Sequence, residues 1–558
     1  MVGMRTLKIF SLAFVLLVLS SLQEAMSHGV HPLSKIALHN TKYALDELAF
    51  VKVSPTVLGL KGETTAWVKV DFSCPNPSND DWIAVFSPAN FSAAICPPTN
   101  SQMIPPVLCT APLKYQYANY TNRNYTKEGK GSLKFQLIKQ RSDISFALFT
   151  GGVSNPKLLA VSSKLAFINP NAPVYPRLAQ GKVWNEMTVT WTSGYGIDEA
   201  EPFVEWGPKG GYQMRSPAGT LTFDRNTMCD APARTVGWRD PGYLHTSFLK
   251  ELWPNKEYDI MSYLLLIEDL NNIDLVFHIG DIVYAMGYIA QWDQFTAQIA
   301  PITSSKPYMI GSGNHERDWP GTGSFYQNMD SGGECGVLAQ NMFYVPAENR
   351  ANFWYSADYG MFRFCVAHTE LDWREGTEQY KFIENCLASV DRQRQPWLIF
   401  LAHRVLGYSS VNFYVSEGSF EEPMGREDLE KLWQKYKVDI ALYGHVHNYE
   451  RTCPVYENIC TSKEKHSYTG PLNGTIHVIA GGAGASLHEF STVNTTWSIR
   501  KDYDHGFTKL TAFNDSHLLF EYKKSRDGSV HDSFTITRDY RDILACTIDR
   551  CPDTTLAQ

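Results

Sequence analysis

Alternating apolar and polar positions mark the first half of the chain as β-rich. After residue 27, short alternating runs such as TAWVKVDFS are separated by Pro, Asn and Ser turns up to residue 172. A second series begins at residue 173 and includes the strand-like segments MTVTWTS and FVEWG. We therefore expect an N-terminal β domain at 28–172. A second unit at 173–261 should be a sandwich of immunoglobulin or fibronectin type.

The pattern changes near residue 262, where helix-like runs alternate with short, continuous apolar runs. This alternation is typical of an α/β domain, which we expect at 262–467, with 468–558 as its C-terminal part. The predicted fold class is therefore multidomain, with N-terminal all-β domains followed by an α/β sandwich. A chain of 558 residues with 44% apolar residues is long enough for several packed domains.

Four apolar runs of the α/β region each end in a polar loop. In open α/β sheets, ligands bind beyond the carboxyl ends of the strands. We therefore expect the polar residues that follow the four runs to line one pocket. The runs LVFHI, PYMIGS, WLIFLA and DIALY lead, in that order, to Asp281 with Tyr284, to Asn314, to His403, and to His445 with His447.

All six of these side chains are of types that bind metal ions, and no thiolate is among them. A carboxylate bridges the two ions of two-metal hydrolases, a phenolate suits trivalent iron, and His and Asn suit a divalent ion. Two cations would acidify a bound water and neutralise phosphate oxygens during in-line attack. Each motif alone is weak evidence, because His-x-His pairs and Gly-Asp turns are common in structural roles. The prediction of a metal-dependent phosphate hydrolase depends on their conjunction.

The N-terminus has the layout of a secretory signal peptide, predicted at residues 1–27. Arg5 and Lys8 precede an apolar run from Ile9 to Leu22, which is followed by small residues. The alternative is a membrane anchor, which the short run disfavours. We expect a soluble protein that is secreted to the extracellular space, the apoplast or cell wall in a plant, with the vacuole as a second destination.

Cysteines, glycosylation sequons and charge agree with an exported enzyme. The 11 cysteines contain no CxxC pair and favour disulfides, with Cys453–Cys460 and Cys546–Cys551 as local pairs and one thiol left over. The net charge of -8, without a long basic run, argues against a nucleic-acid partner, and no second stretch is long enough to span a membrane. Predicted N-glycosylation sites are Asn90, Asn119, Asn124, Asn473, Asn494 and Asn514.

Four motifs, GDIVY, GNHE, the histidine of WLIFLAHR and GHVH, resemble those of the metallophosphoesterases. The tyrosine three residues after Asp281 resembles the purple acid phosphatase branch, and RDPGYLHTSFLKELWPN, FWYSADYG, SGGECG and GSFEEPMGRE resemble its large plant members. The resemblance implies an α/β metallophosphoesterase sandwich and a fibronectin-like purple acid phosphatase domain, truncated at its end, at 173–261. It also implies Fe(III) with a divalent partner (Zn, Mn or Fe), and hydrolysis of phosphate esters at acid pH.

The same resemblance assigns a role to each metal ligand. Carried over by motif, Asp281 bridges both ions, Tyr284 and His447 bind the iron, and Asn314, His403 and His445 bind the divalent ion.

The resemblance also implies how the substrate binds. His315 would contact the phosphate and donate the proton, with Asn314, His403 and Arg404 as further phosphate contacts. The substrate would be a phosphate monoester, or a nucleotide-type pyrophosphate or diester. Relatives often pair, so a homodimer is a further expectation.

The chain departs from the family pattern at the first metal-ligand motif, a Gly-Asp-x-Gly whose aspartate binds the iron. The only Gly-Asp dipeptide in the sequence is Gly280-Asp281, and KELWPNKEYDIMSYLLLIEDLNNIDLVFHIGD runs almost directly from the sandwich to the GDxxY strand. We expect that several dozen residues are deleted and that residues 259–270 form one helix, which makes Asp259 a poor substitute ligand. Two hypotheses remain: an active phosphatase, or an inactive paralogue or splice form with a binding or regulatory role.

Overall fold

The structure is a computed structural model that describes residues 38–89, 107–253, 256–260, 272–411, 425–483, 486–492 and 494–544. The predicted signal peptide, Asn90 and the Cys546–Cys551 pair lie outside these residues. The chain divides into two compact units. The first comprises Met1–Thr56, Trp67–Gln136 and Asp143–Leu165, and the second comprises Val57–Ala66, Leu137–Ser142 and Ala166–Gln558.

Short strands follow one another up to residue 167, as the alternating pattern predicts. The segment TAWVKVDFS forms one strand, in which Val68 and Val70 are buried while Trp67 and Lys69 are exposed. The elements are β1 (Leu38–Tyr43), β2 (Phe50–Ser54), β3 (Val57–Leu58), β4 (Thr65–Ser73), β5 (Trp82–Phe86), β6 (Val107–Thr110), β7 (Lys114–Tyr117), α1 (Tyr125–Glu128), β8 (Lys130–Ile138), β9 (Ser145–Thr150), β10 (Lys157–Val161) and β11 (Ala166–Phe167). The sheet order is β6-β1-β10-β9-β5-β7 in one sheet, β2-β4-β8 in another, and β11-β3 in a third.

The predicted second β-rich segment forms a six-stranded antiparallel sheet in the order β12-β13-β16-β15-β14-β17. Its strands are β12 (Val174–Gln180), β13 (Met187–Ser193), β14 (Phe203–Pro208), β15 (Met214–Leu221), β16 (Tyr243–Leu249) and β17 (Tyr258–Ile260). The predicted helix at 259–270 is wrong at its start, because Asp259 pairs with Gly207 of β14. The rest of that predicted helix, residues 261–270, lies outside the described residues.

The α/β region contains all four strands that the apolar runs predict, namely β18, β19, β22 and β23. The elements are β18 (Val276–Ile279), α2 (Ala290–Thr303), β19 (Tyr308–Gly311), α3 (Asn314–Arg317), α4 (Val337–Met342), β20 (Tyr355–Tyr359), β21 (Phe362–Val366), α5 (Glu378–Ala388), β22 (Trp397–Ala402), α6 (Arg426–Lys435), β23 (Ile440–Tyr443), β24 (Tyr449–Tyr456), β25 (Ile459–Cys460), β26 (Ser467–Thr469), β27 (Thr475–Ala480) and β28 (Ser498–Asp502).

The pattern alone suggests that these four strands belong to one open sheet. In the structure they belong to two sheets. β18 and β19 form a parallel pair, whereas β22 and β23 are central in the sheet β20-β21-β22-β23-β27-β24-β25, where β28 pairs with β24. Met309 and Ile310 of β19 lie in the same buried apolar cluster as Ile399 of β22 and Ile440 of β23. The two sheets therefore pack face to face, and the carboxyl ends of their parallel strands converge.

The C-terminal strands extend the same core. The sheet β26-β31-β30-β29 contributes Leu518 and Phe520 to the apolar cluster that contains residues of β19, β22 and β23. Its elements are β29 (Gly506–Asn514), β30 (His517–Lys524) and β31 (Val530–Thr537), followed by α7 (Tyr540–Leu544). Within the described part of the chain, no helix is long and apolar enough to cross a bilayer.

Three disulfides lie among the described residues. The predicted Cys453–Cys460 bond is confirmed, with an S–S distance of 2.04 Å, and it closes the β24–β25 hairpin. Cys229–Cys335 and Cys365–Cys386 join residues 106 and 21 positions apart, and sequence reasoning did not pair them. Cys74 is buried and free.

β18 differs in burial from the other three strands that lead to the site. Every residue of β19, β22 and β23 is buried, whereas each of Val276 to Ile279 is only partly buried. Among the described residues, β18 pairs with β19 alone. A strand that is only partly buried along its whole length is unusual among the parallel strands of an α/β domain.

Candidate metal centre

The six predicted ligands converge where the four parallel strands end. Asp281 follows β18, Asn314 begins α3 just after β19, His403 follows β22, and His445 follows β23. Asp281 and His445 adopt left-handed backbone conformations, with φ of 53° and 56°. Such turns are uncommon for residues other than glycine, and they occur here where the chain must aim a side chain into the site.

Two glycines allow the loops to approach one another. A Cβ at Gly280 would lie 2.5 Å from Nδ1 of His403, and one at Gly313 would lie 2.5 Å from Oδ1 of Asp281. No side chain fits at these distances. Glycine is therefore required at both positions by the close approach of the loops, and not only by turn formation.

Four donor atoms form a compact group, all with one neighbour or more at 3.0–3.3 Å. Oδ1 of Asn314 lies 3.0 Å from Nε2 of His403 and 3.1 Å from Nδ1 of His445, and these two nitrogens are 3.3 Å apart. Oδ1 of Asp281 lies 3.1 Å from Nε2 of His403. Ligands about 2.1 Å from one ion lie about 3.0 Å apart in octahedral geometry and about 3.4 Å apart in tetrahedral geometry. The spacing therefore fits a single metal ion.

Hydrogen bonds outside this group orient two of its ligands. Nδ1 of His403 lies 2.9 Å from the carbonyl of Ile279, so the proton on Nδ1 donates and Nε2 faces the site. The amide of Asn314 donates from Nδ2 to Asp330 at 2.9 Å, which turns Oδ1 toward the histidines. Both side chains are thus held in the orientation that ligation requires.

Tyr284 and His447 form a second group on the other side of Asp281. The hydroxyl of Tyr284 donates to Oδ2 of Asp281 at 2.9 Å and lies 2.8 Å from Nε2 of His447. Nδ1 of His447 donates to the carbonyl of Ser486 at 2.7 Å, which leaves Nε2 facing the site. Burial, and then the Asp281 carboxylate, raises the pKa of Tyr284 above its ordinary value.

A buried carboxylate that the sequence analysis did not select fixes the loops that carry the ligands. Glu316 is 1% exposed and accepts hydrogen bonds from the backbone N–H groups of Asp281, Ile282 and Gly313 at 2.8, 2.7 and 2.9 Å. It therefore ties the loop after β18 to the loop after β19. The position of Glu316 in the GNHE motif is the one feature of the sequence that could have pointed to it. Its partners are backbone N–H groups, which no residue pattern reveals.

The charges of the group influence one another strongly. Burial alone would raise the pKa of Asp281, but the neighbouring His403 and His315 outweigh it and hold that pKa well below its ordinary value. Burial lowers the pKa of His403, and the Asp281 charge more than reverses this shift. Burial, reinforced by Arg404, keeps the pKa of His445 well below its ordinary value. Asp281 is therefore ionised and His445 neutral, which are the forms that bind metals.

The two predicted substrate contacts that are not metal ligands, His315 and Arg404, lie beside the donor group in different environments. His315 donates its backbone N–H to Oδ1 of Asp281 at 3.2 Å, and its ring lies 4.2 Å from that of Tyr284. Its Nδ1 atom is buried without a hydrogen-bond partner among the described residues. A polar atom in that state is suited to meet a ligand.

Arg404 is more enclosed than a phosphate contact at the mouth of a site would be. It is 1% exposed, donates from Nε to Glu370 at 2.8 Å, and lies over the Tyr326 ring at 3.7 Å. Its Nη1 atom lies 3.3 Å from Nε2 of His445. The structure thus places Arg404 beside a predicted ligand, and its predicted contact with phosphate stays a prediction.

The donor set fits a divalent ion fully and an iron ion only in part. Among the described residues, the one group of three His, Cys, Asp or Glu side chains with mutually close ligand atoms is Asp281, His403 and His445. The Tyr284–His447 side shares Asp281 but has no further acidic ligand in that group. Asp259, the substitute that the sequence offered, has its backbone in the β14–β17 ladder.

The fold and the donor set together define a metallophosphoesterase. A protein-family model described as "Calcineurin-like phosphoesterase" matches residues 244–449, and one described as "Iron/zinc purple acid phosphatase-like protein C" matches residues 474–533. The description "Fn3-like domain from Purple Acid Phosphatase" matches residues 51–169. The fibronectin-like family model therefore covers residues of the first β domain, whereas the sequence pattern predicted the fibronectin-like domain at 173–261. The predicted domain boundaries themselves stay a prediction.

Comparison with single proteins narrows the class to one family. An Arabidopsis thaliana protein named "Probable inactive purple acid phosphatase 1" is 62% identical over 612 positions, covering 99% of this chain and all of that protein. A purple acid phosphatase from yellow lupin seeds has a solved structure with a TM-score of 0.86 and 66% identity, covering 92% of this chain and 100% of its own. A nucleotide pyrophosphatase/phosphodiesterase of Hordeum vulgare is 68% identical over 52% of this chain and 79% of its own length. The chain belongs to the purple acid phosphatase family, whose members use a dinuclear metal site.

The alignment with the Arabidopsis protein also bears on the missing motif. Its 612 positions exceed the 558 residues of this chain by 54. At least that many positions of the relative therefore have no counterpart here, which agrees with the deletion of several dozen residues that the sequence predicts.

Proposed function

We propose that this chain is an exported acid phosphatase that hydrolyses phosphate monoesters or nucleotide-type pyrophosphates and diesters at a metal site. The observation that carries the proposal is the group of Asp281, Asn314, His403 and His445 donor atoms at 3.0–3.3 Å. A divalent ion bound there would lower the pKa of a coordinated water and neutralise charge on the phosphate. Preference for a nucleotide-type substrate rests on the likeness to the barley protein.

The protein's own residues position and protonate the substrate. Asn314 and His403 lie on the divalent side, and His315 lies next to Asn314 in sequence and against the Tyr284 ring in space. The buried Nδ1 of His315 has no internal partner among the described residues, so it is placed to carry the proton that the leaving oxygen needs. Arg404, which donates to Glu370, lies beside His445 at the back of the site.

Hydrolysis assays on the full secreted chain test the proposal. The chain is supplied with Zn²⁺ or Mn²⁺ and assayed at acid pH with 4-nitrophenyl phosphate, bis(4-nitrophenyl) phosphate and a nucleoside pyrophosphate. We expect turnover that His403→Ala abolishes and that His466→Ala, which changes an exposed histidine, leaves unchanged. Activity that survives in His403→Ala, or that is absent from the metal-loaded wild type, contradicts the proposal.

A second candidate function is that of an inactive relative with a binding or regulatory role. Two observations favour it: the Gly-Asp-x-Gly motif is absent from the sequence, and the 62%-identical Arabidopsis relative is named as probably inactive. This candidate predicts binding of a phosphate ester without its hydrolysis. Calorimetric titration with 4-nitrophenyl phosphate, alongside the assay above, separates the two functions.

Export, glycosylation and the formation of a homodimer are further parts of the proposal. Asn119, Asn124, Asn473 and Asn514 lie among the described residues, and Asn494 begins the last described segment. Secretion into culture medium, a mass shift on endoglycosidase treatment, and the mass of the native particle test these three expectations separately. A glycan-free intracellular monomer would contradict all of them.

A further inference from the structure

We propose that this chain binds a single metal ion, held by Asp281, Asn314, His403 and His445, and that the Tyr284–His447 side of the centre stays without one. The inference deepens the proposed function, on whose metal site it rests. It departs from the two-ion centre that the family uses.

The spacing of donor atoms separates the two sides of the centre. On the divalent side, oxygens from Asp281 and Asn314 and nitrogens from His403 and His445 surround one point, with neighbouring atoms at 3.0–3.3 Å. Two of these ligands are also fixed from behind by Ile279 and Asp330. Preorganised ligands with oriented partners are what tight binding of a divalent ion requires.

The other side has too few ligands among the residues that the structure describes. Tyr284 and Asp281 each supply one oxygen and His447 supplies one nitrogen; the Tyr284 hydroxyl donates to Oδ2 of Asp281 at 2.9 Å and lies 2.8 Å from Nε2 of His447. To bind iron, this hydroxyl must lose its proton and its hydrogen bond to Asp281. A trivalent ion also needs hard anionic ligands, and within the described ranges the phenolate and the shared carboxylate are the anionic ligands on this side.

The missing aspartate explains why the two sides are affected unequally. In the family pattern, the Gly-Asp-x-Gly aspartate binds the iron and not the divalent ion, and the sequence contains no second Gly-Asp dipeptide. Its loss therefore removes a negative charge from the iron side alone. The divalent side keeps the four ligands that the pattern assigns to it.

A one-ion centre has a consequence for chemistry. One divalent ion can still polarise a phosphate and acidify a water, but the clamp that two ions place on the attacking and leaving oxygens is lost. We therefore expect slow hydrolysis, and no violet colour, because that colour arises from tyrosinate bound to iron.

The test is metal stoichiometry on the full chain, measured independently of activity. The purified protein is stripped with chelator and dialysed against Zn²⁺ alone, Mn²⁺ alone, or Fe³⁺ with Zn²⁺. Bound metal is counted by mass spectrometry, and the visible spectrum is recorded on the same samples. Matched variants are Tyr284→Phe on the iron side and His403→Ala on the divalent side. Asn314→Asp, which keeps an oxygen ligand at its position, is the conservative control on the same side.

We expect one ion per chain under every condition and no violet band. Tyr284→Phe should keep the ion, His403→Ala should bind it at least tenfold more weakly, and Asn314→Asp should retain it. Two ions per chain, no ion, or a violet band that Tyr284→Phe removes would overturn the inference. A chain with one ion and no hydrolysis would overturn the proposed function and leave this inference standing.

Discussion

The carboxylate of Glu316 lies 2.8 Å from the backbone nitrogen of Asp281 and accepts its hydrogen bond, although the two residues are 35 positions apart in the chain. The same carboxylate accepts from Ile282 and Gly313. One buried side chain thus fixes the loops that carry Asp281 and Asn314.

Replacing Glu316 by Gln should weaken both the fold and metal binding. Gln has one acceptor oxygen for three N–H donors, and each buried donor left without a partner costs about 1–3 kcal/mol. We expect a free energy of unfolding lower by about 2 kcal/mol in urea titrations and a fall in Zn²⁺ affinity of about tenfold. Glu464→Gln, an exposed change of the same chemistry, should alter neither. Wild-type zinc affinity in Glu316→Gln would show that the loops hold their positions without this carboxylate.

Gly313→Ala should abolish metal binding although it adds only one methyl group to the protein. The new Cβ would lie 2.5 Å from Oδ1 of Asp281 and 2.7 Å from its backbone nitrogen, so the loop after β18 must move. The matched control is Gly219→Ala, because a Cβ there meets nothing within 4 Å. We expect calorimetry to show zinc binding in Gly219→Ala and none in Gly313→Ala. Equal binding in the two variants would contradict the close approach described above.

Stability should depend on pH through Glu334. Burial raises the pKa of this side chain from 4.5 to about 8, although Gly287 and Trp292 donate hydrogen bonds to it. Between these pH values the folded chain keeps a proton that the unfolded chain releases, so this contribution is full below the unfolded pKa and is lost as the pH rises toward about 8.

The measurement is the urea midpoint of the metal-free chain from pH 5 to pH 8. We expect Glu334 to account for a decrease of about 1–3 kcal/mol over this range. Glu334→Gln should be less stable at pH 5 but should show a smaller slope. An identical slope in wild type and variant would mean that Glu334 titrates normally.

The two disulfides that close loops of different length should contribute unequally. Cys453 and Cys460 are 7 positions apart, and Cys229 and Cys335 are 106 apart. Loop-closure entropy predicts losses of about 2.5 kcal/mol and about 5 kcal/mol when the pairs are replaced by Ser. Urea denaturation of the two double variants measures the difference. A greater loss from the Cys453–Cys460 pair would show that folded-state contacts, and not loop length, set the contribution.

The strands and ligands were predictable because both leave local signals. Buried parallel strands are continuous apolar runs, and the residues that follow them must turn, so β18, β19, β22 and β23 and their polar exits could be read directly. The division of these strands between two sheets could not be read, because pairing depends on distant segments. The same limit concealed Glu316, whose partners are backbone atoms, and the Cys365–Cys386 bond. Asp259 was misassigned because a short edge strand such as β17 has too few residues to show a period.

The partly buried state of β18 bears on the fate of the chain inside the cell. Apolar strand residues that keep contact with solvent are the kind of surface that chaperones retain in the secretory pathway. If the chain is exported as proposed, the quantity that leaves the cell would be set by quality control and not by how much is synthesised. A version with the missing segment restored between β17 and β18 would be exported more efficiently at equal messenger levels.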